Sequence, residues 1–520
     1  MGIKSNRIQT VILVAILIGI TTILMSTFMG KSNLHGIVAI LILGSRNIVL
    51  HEQSDYIDIQ ESASILANSS HSNTHLSKLL SRQSTTLEEA IQKYERKLGR
   101  LPPKGYSEWF ERAKEKKCLI DDYDMIWEDL APYYQLGGKD FRQRVQILQQ
   151  NMQRMHHHKV SQGLLSGTSK WSNFLKNSIK SISDLDIIIN ELDEPRILFN
   201  ADKDGPALLN QVLDQSKDNP TAQDQIKADW FTVNGDEHLE LMKKTCLLHN
   251  PLKPLQQPHD FHGYLQWPMS NIYTRLACRL NNSSLVIYYI YIRTLLPIIS
   301  MTKLSGCFAD IVIPSVYYYD IYAGGQSQAD KYPWKSRTEK AYWRGSTTGG
   351  SNSHGKWHNY HRIRLARLAV QNSNILDVAL SDTTQCLEQD CIDIRNEFKV
   401  AGKEPFDKIY TYKYALDVDG NTFSGRFFRL LESEALVFKM TIFNEYFEKW
   451  IVPWEHYIPI EVDFSDLKQK IEWAKNNDDR ARRIAENGRR FAERILNKSQ
   501  MECYTELLLL EMARLTHMDE

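Results

Sequence analysis

The residues best equipped for chemistry lie between Trp343 and Gly350. There an aromatic, strand-like entry runs into Arg344, Gly345, Ser346, Thr347, Thr348, Gly349 and Gly350. Glycines let backbone N–H groups approach a ligand, hydroxyls add donors, and a guanidinium forks onto phosphate oxygens. That set suits a diphosphate. The run lacks the Gly-Lys-Ser/Thr ending of a Walker A loop and the glycine spacing of a dinucleotide fold. A plain loop also uses these residue types, so the surrounding sequence has to decide.

Two other groups of residues stand at comparable places. Asn190-Glu191-Leu192-Asp193-Glu194-Pro195 follows the apolar run 185–189, which sets Asp193 where a buried strand ends. Ser424, Gly425 and Arg426 follow the strand-like 410–418 and the turn Asp419-Gly420-Asn421, and they open a helix at 425–433. Arg426 would then add its charge to a helix N-terminus.

After residue 330 strand-like and helical segments alternate. Strands are expected at 341–343, 375–380, 410–418, 435–438 and 457–460, with a basic helix at 357–371. Such alternation predicts a parallel sheet covered on both faces. Ligands of open parallel sheets lie beyond the carboxyl ends of the strands, where Arg344 and Arg426 both fall. Before residue 330, buried strands are expected at 185–189, 285–290 and 311–313 among helices. The last sixty residues read as helical and are expected to pack back across both halves.

The 520 residues suffice for two ordinary domains, and 63 basic residues balance 63 acidic ones, so no global charge points to nucleic acid. Residues 8–29 are apolar or small without a charge, enough at about 1.5 Å per residue to cross roughly 30 Å of hydrocarbon. Lys4 and Arg7 precede them, which places residues 1–7 in the cytosol as a type II signal-anchor topology. A cleaved signal peptide is the rival reading, and the apolar patch 34–43 leaves a second membrane entry open. Residues 30–86 read as a stem, and the sequons at Asn68, Asn281, Asn282 and Asn497 fit a luminal body. Seven cysteines without a CxxC pair argue against a zinc ribbon; Cys386 and Cys391 are close enough to form a short loop. His156-His157-His158 reads as a solvated face, and His354, His358 and His361 sit on a helix crowded by Arg362, Arg364 and Arg367.

Five segments, taken in order, resemble the capsule-associated-protein glycosyltransferases, glycosyltransferase family 90, which includes the Rumi-type protein O-glucosyltransferases. They are the Asn190–Pro195 segment, Trp343-Arg344-Gly345-Ser346, Tyr412 to Gly420 with Ser424-Gly425-Arg426-Phe427, Leu436-Val437-Phe438-Lys439, and Pro453 to Pro459; the run Arg100 to Tyr106 with Trp109 also looks like the family's early motif. The resemblance covers residue 87 to the C-terminus. It implies an α/β, GT-B-like fold: two Rossmann-like halves facing a cleft, here residues 87–330 on the acceptor side and 331–460 binding a UDP-sugar, with 461–520 as crossing helices. It implies inverting transfer without a metal or other cofactor. Donor-binding roles fall on Arg344, Gly345, Ser346, Thr347, Thr348, Ser424, Gly425 and Arg426, and the catalytic role on Asp193; Asp310 matches a recurrent acidic position of unassigned role.

Inverting transfer needs one carboxylate to take the proton from the attacking hydroxyl, and cations or N–H donors to hold the departing diphosphate. The sequence also contains two DxD patterns, at Asp202 and at Asp417, that mimic the manganese site of other transferases; the second is read as a structural strand-to-turn segment. The expected donor is UDP-xylose with a glycan acceptor, with UDP-glucose and a protein acceptor as the alternative. A silent carbohydrate-binding protein of the same fold is a third reading. The expected location is the Golgi or ER membrane, with the body luminal.

Overall fold

The computed structural model describes residues 74–150, 152, 154–197, 230–234, 288–292, 295–304, 308–321, 329–350, 355–398 and 400–518. The anchor expected at 8–29, the patch 34–43, three of the sequons and the pattern at Asp202 lie outside these residues. Among the described residues no helix is long and apolar enough to cross a membrane. The described body begins inside the segment read as a stem: helix α1 (His75–Ser81) is capped by the Thr74 hydroxyl, which accepts from Ser77 N, and it buries Leu79.

Helices α2 (Leu87–Leu98), α3 (Tyr106–Glu115), α4 (Asp124–Leu136) and α5 (Gly138–Gln150) precede the first sheet. Its strands are β1 (Met155–Ser161), β2 (Leu164–Ser166) and, after the short α6 (Ser172–Lys176), β3 (Leu185–Asn190); a separate antiparallel pair, β4 (Trp230–Asn234) and β5 (Tyr288–Ile292), precedes β6 (Ile299–Ser300) and β7 (Ile311–Val312). The order is β2-β1-β3-β6-β7. β3, β6 and β7 run parallel, whereas β1 and β2 form an antiparallel edge. The first half is therefore mixed, and only its β3–β6–β7 portion matches the all-parallel expectation. The alternation of β1 explains the edge. His158 is fully buried against Ser169 while His157 faces outward onto Asp186, so the histidine run is a half-buried strand rather than a wholly solvated face.

A six-residue helix, α7 (Val316–Ile321), leads toward the second sheet. That sheet comprises β8 (Thr338–Ser346), then α8 (His361–Gln371), β9 (Leu376–Asp382), α9 (Glu388–Glu397), β10 (Tyr412–Val418), α10 (Phe427–Glu432), β11 (Leu436–Met440) and β12 (Ile458–Pro459). All neighbours are parallel and the order is β12-β11-β10-β8-β9. The chain moves outward from β8 to β9, then returns to the other side of β8 for β10. The switch point thus lies between β8 and β10, the place where doubly wound sheets open a crevice. Every residue of β10 and β11 is buried, as central parallel strands require. Their charged members survive there by pairing: Lys439 Nζ lies 2.9 Å from Asp417 Oδ2.

Three helices close the chain: α11 (Leu467–Asn476), α12 (Asp478–Ile495) and α13 (Lys498–His517). α12 packs on α10 and β11, while α13 packs on α3, α4 and α5, so the C-terminal helices do reach both sheets. A disulfide from Cys118 to Cys503 ties the end of α3 to α13, and Cys386 bonds Cys391 as the short spacing allows.

Candidate active site

The loop after β8 is shaped by what surrounds its glycines. A Cβ on Gly345 would stand 2.4 Å from the Trp343 ring, and one on Gly350 would stand 2.6 Å from Tyr360. Gly349 has φ +108 and would meet His361 and the Gly420 carbonyl. Its N–H donates to Asn421 Oδ1 at 3.0 Å, which draws this loop onto the turn after β10. The glycines are needed for close packing of two loops, not for looseness.

The hydroxyls divide by role. Thr347 is buried and exchanges two 2.8 Å hydrogen bonds with the backbone of Thr384. Thr348 Oγ1 accepts from Arg362. Ser346 contributes its carbonyl to the same arginine and keeps its side chain half-exposed. Arg362, noted in the sequence only for its charge, is the organiser of this loop. Its donors also reach the carbonyls of Val418 and Asp419. A buried arginine two residues into a helix that follows a Gly-rich loop is the signal that points to it.

Arg344 and Arg426 differ in state. The Arg344 guanidinium pairs with Asp377 and Glu404, each at 2.7 Å, and also donates to the carbonyls of Trp343 and Asp377. It clamps β8 to β9. Arg426 donates to the Arg344 carbonyl, sits 5.7 Å from the centre of the Trp343 ring, and has no carboxylate within salt-bridge distance among the described residues. Burial depresses its pKa, yet a guanidinium stays charged in proteins. Ser424, buried beside it, leaves its hydroxyl without a hydrogen-bond partner among the described residues. A buried cation with no carboxylate in salt-bridge distance among the described residues, beside an unpaired hydroxyl at the switch point, is an arrangement that can accept an anion.

Asp193 belongs to the first sheet. Asn190 closes its loop as an Asx turn, accepting from Leu192 N at 3.1 Å and donating to the Glu194 carbonyl at 2.6 Å. Asp310, fully buried, then accepts from the N–H groups of Arg196 and Ile197, both at 2.8 Å, and from Ser300 Oγ at 2.6 Å. The acidic position without an assigned role therefore anchors the loop that carries Asp193. Burial raises the Asp310 pKa against these three donors. Asp193 itself is half-exposed, its Oδ1 accepting from Tyr317 Oη at 3.0 Å. Tyr317 in turn borders the second half: a Cβ on Gly425 would stand 3.4 Å from the Tyr317 Cβ. One tyrosine thus touches both the Asp193 loop and the Ser424–Arg426 loop.

The remaining lookalikes are accounted for by packing. Asp417 and Asp419 are fully buried in the β10 strand end, Asp417 on Lys439 and Asp419 accepting from Ile442 N. Burial lifts the Asp419 carboxyl to about 7. His361 is bonded to the Asp419 carbonyl and His358 faces Glu397, while His354 is outside the described residues. Among the described residues there is no group of three His, Cys, Asp or Glu side chains arranged to hold a metal ion. Asn497 is the N-cap of α13, and its Nδ2, the atom a glycan would take, donates to the carbonyls of Glu493 and Arg494.

With this geometry in view, comparison with known proteins is informative. Residues 323–520 match Glycosyl transferase family 90. Protein O-glucosyltransferase 2 of Danio rerio is 32% identical over 183 residues, 35% of this chain and 34% of that protein. Human Protein O-glucosyltransferase 3 is 30% identical over 181 residues, 35% and 33% of the two chains. Human Protein O-glucosyltransferase 1 is 27% identical over 243 residues, 42% and 57%. The chain thus spans about a third of the length of the first two relatives and just over half of the third. The doubly wound sheet, its switch-point loops and these matches agree: residues 323–520, the part of the chain that carries the second sheet and the C-terminal helices, are similar to glycosyltransferase family 90.

Proposed function

We propose that the protein transfers a sugar from a UDP-sugar to an acceptor hydroxyl with inversion and without a metal ion. The observation that carries this reading is the linkage of three loops: the Gly-rich loop after β8 joined to the turn after β10 by Gly349 and Asn421, and the Ser424–Arg426 loop joined to the Asp193 loop through Tyr317, which touches both. Arg426, the Ser424 hydroxyl and backbone N–H groups of residues 345–348 hold the diphosphate. Arg344 shapes the strand end from which they project. Asp193 takes the proton of the acceptor hydroxyl as its oxygen attacks the anomeric carbon. The charge that builds on the diphosphate is met by Arg426 in a partly desolvated site, where it counts for more than in water.

UDP-glucose is the first donor to test, supported by the names of the relatives; UDP-xylose is the second, supported by the resemblance of Pro102-Pro103-Lys104-Gly105-Tyr106 and Asp419-Gly420-Asn421 to the capsule branch of the family rather than the Rumi branch. The acceptor is a glycan or a protein. The two disulfides fit an oxidising lumen, and we place the body in the ER or Golgi on that ground together with the anchor expected at residues 8–29. The test is UDP release by the purified protein over a panel of UDP-sugars with chelator present. Selective turnover that Asp193→Asn abolishes, with UDP binding retained, supports the reading. A strict metal requirement, or full turnover by Asp193→Asn, overturns it.

A further inference from the structure

We propose that Tyr317 is the positioning residue for Asp193, fixing one carboxylate oxygen so that the other faces the acceptor at the mouth of the donor loop. This assignment rests on the glycosyl-transfer reading above. Tyr317 Oη donates to Asp193 Oδ1 at 3.0 Å, and the same residue lines the Gly425 backbone closely enough that an added Cβ would be in van der Waals contact. Its position does not depend on Asp193. Tyr318, next in sequence, stacks on Phe428 with ring centres 3.8 Å apart and donates to the Ser424 carbonyl at 3.0 Å. Tyr319 donates to Glu502 and accepts from Asn177, each at 2.7 Å. Two buried tyrosines pin the α7 backbone to both halves, and the third stands exposed between Asp193 and Gly425.

Exposure makes the same point. Tyr317 is 41% exposed, high for a large ring flanked by two buried ones, so core packing does not account for it. The charged groups facing the pair are Lys170, whose Nζ is 5.0 Å from the Tyr317 ring centre, and Glu194, adjacent to Asp193. Burial and the Asp193 charge push the Tyr317 phenol well above its ordinary range, so it holds its proton and acts only as a donor toward the carboxylate. With Oδ1 engaged, Oδ2 remains for the substrate. The acceptor proton passes to Oδ2 as the acceptor oxygen bonds to the anomeric carbon. The bond from that carbon to the β-phosphate oxygen breaks, and its electron pair leaves with UDP.

The test is Tyr317→Phe in the full chain, which keeps the ring and removes only the hydroxyl. UDP release from UDP-glucose and UDP-xylose is measured as kcat and KM, beside UDP affinity and thermal melting. The expected result is a kcat about tenfold lower or more, with KM for the donor and UDP affinity within about twofold. A structural role would lower the melting temperature and shift KM and UDP affinity along with kcat. An unchanged kcat, with Asp193→Asn inactive, overturns the role of Tyr317 alone. Full activity in Asp193→Asn, or no turnover of any UDP-sugar by the unaltered protein, removes the reading beneath it.

Discussion

Arg362 donates from one terminal nitrogen to the Thr348 hydroxyl at 2.5 Å and to the Ser346 carbonyl at 3.0 Å. Its Nε and other terminal nitrogen hold the carbonyls of Asp419 and Val418 at 2.8 and 3.2 Å. A single guanidinium therefore staples the loop after β8 to the end of β10, across the switch point. The planar fork matters, because four carbonyl and hydroxyl oxygens on two loops are satisfied at once.

Replacing Arg362 by lysine keeps the charge and loses the fork. The ammonium has three donors at a single point, so at least one of the four bonds fails and the two loops are no longer bridged by a planar fork. The expected cost is about 2–4 kcal/mol of stability, within the range for a broken buried network. UDP affinity should fall about tenfold, because the N–H groups of the Gly-rich loop are no longer held in place. Calorimetric titration with UDP, alongside thermal melting, reads both. Wild-type UDP affinity in a destabilised variant would separate loop geometry from donor binding.

Arg344 and Arg426 provide a sharper contrast, since sequence reasoning gave them one role. Arg344→Ala takes the cation from Asp377 and Glu404, leaving them, among the described residues, only the hydroxyls of Tyr412 and Tyr342, and is expected to cost about 1–3 kcal/mol of stability, with a modest loss of UDP affinity. Arg426→Ala leaves no carboxylate stranded among the described residues. It should weaken UDP binding about thirtyfold, roughly 2 kcal/mol for a charge-assisted phosphate contact, and leave melting nearly unchanged. Measuring both quantities for both variants decides the matter; equal losses of UDP affinity would restore Arg344 as a direct phosphate ligand.

The second sheet was legible because its strands hold short apolar runs bounded by polar or turn residues; the expected 341–343 is the buried centre of β8, which extends three residues further at each end. The run 435–438 became β11 (Leu436–Met440) and 375–380 became β9, with ends displaced by one or two residues. The antiparallel edge of the first half was not legible: Met155–Ser161 is mostly histidine, lysine and serine, and only pairing with β3 makes it a strand. At the candidate site, residue type singled out Arg344 and Arg426 together and gave no sign of which of the two is paired with carboxylates inside the protein. Arg344 and Arg426 look alike in sequence, and the carboxylates that distinguish them, Asp377 and Glu404, are 33 and 60 positions away from Arg344. The roles of Asp310 and Tyr317 were hidden for the same reason, since each acts on a loop more than a hundred positions distant.

His456, inside the Pro453 to Pro459 segment, makes the stability of this half dependent on pH. It is 1% exposed and stacks on Phe491, with ring centres 4.3 Å apart. Its Nδ1 accepts from Val452 N at 2.9 Å, so the ring carries its proton on Nε2; Glu455 Oε1, 3.8 Å from that nitrogen, is too distant for a hydrogen bond. Burial lowers its pKa to about 3, whereas an unfolded histidine titrates near 6.5. The unfolded chain therefore binds a proton that the folded one refuses. Stability from this group is complete above about pH 6.5 and is lost as pH falls toward 3, by about 2 kcal/mol at pH 5. Glutamine can accept the Val452 N–H but has no proton to gain over that range. The difference in melting between pH 7.5 and pH 5 should thus be smaller in His456→Gln than in the unaltered protein. Parallel curves would mean that the folded imidazole takes up its proton over the same pH range as the unfolded one, so that Phe491 and Glu455 face a cation at pH 5.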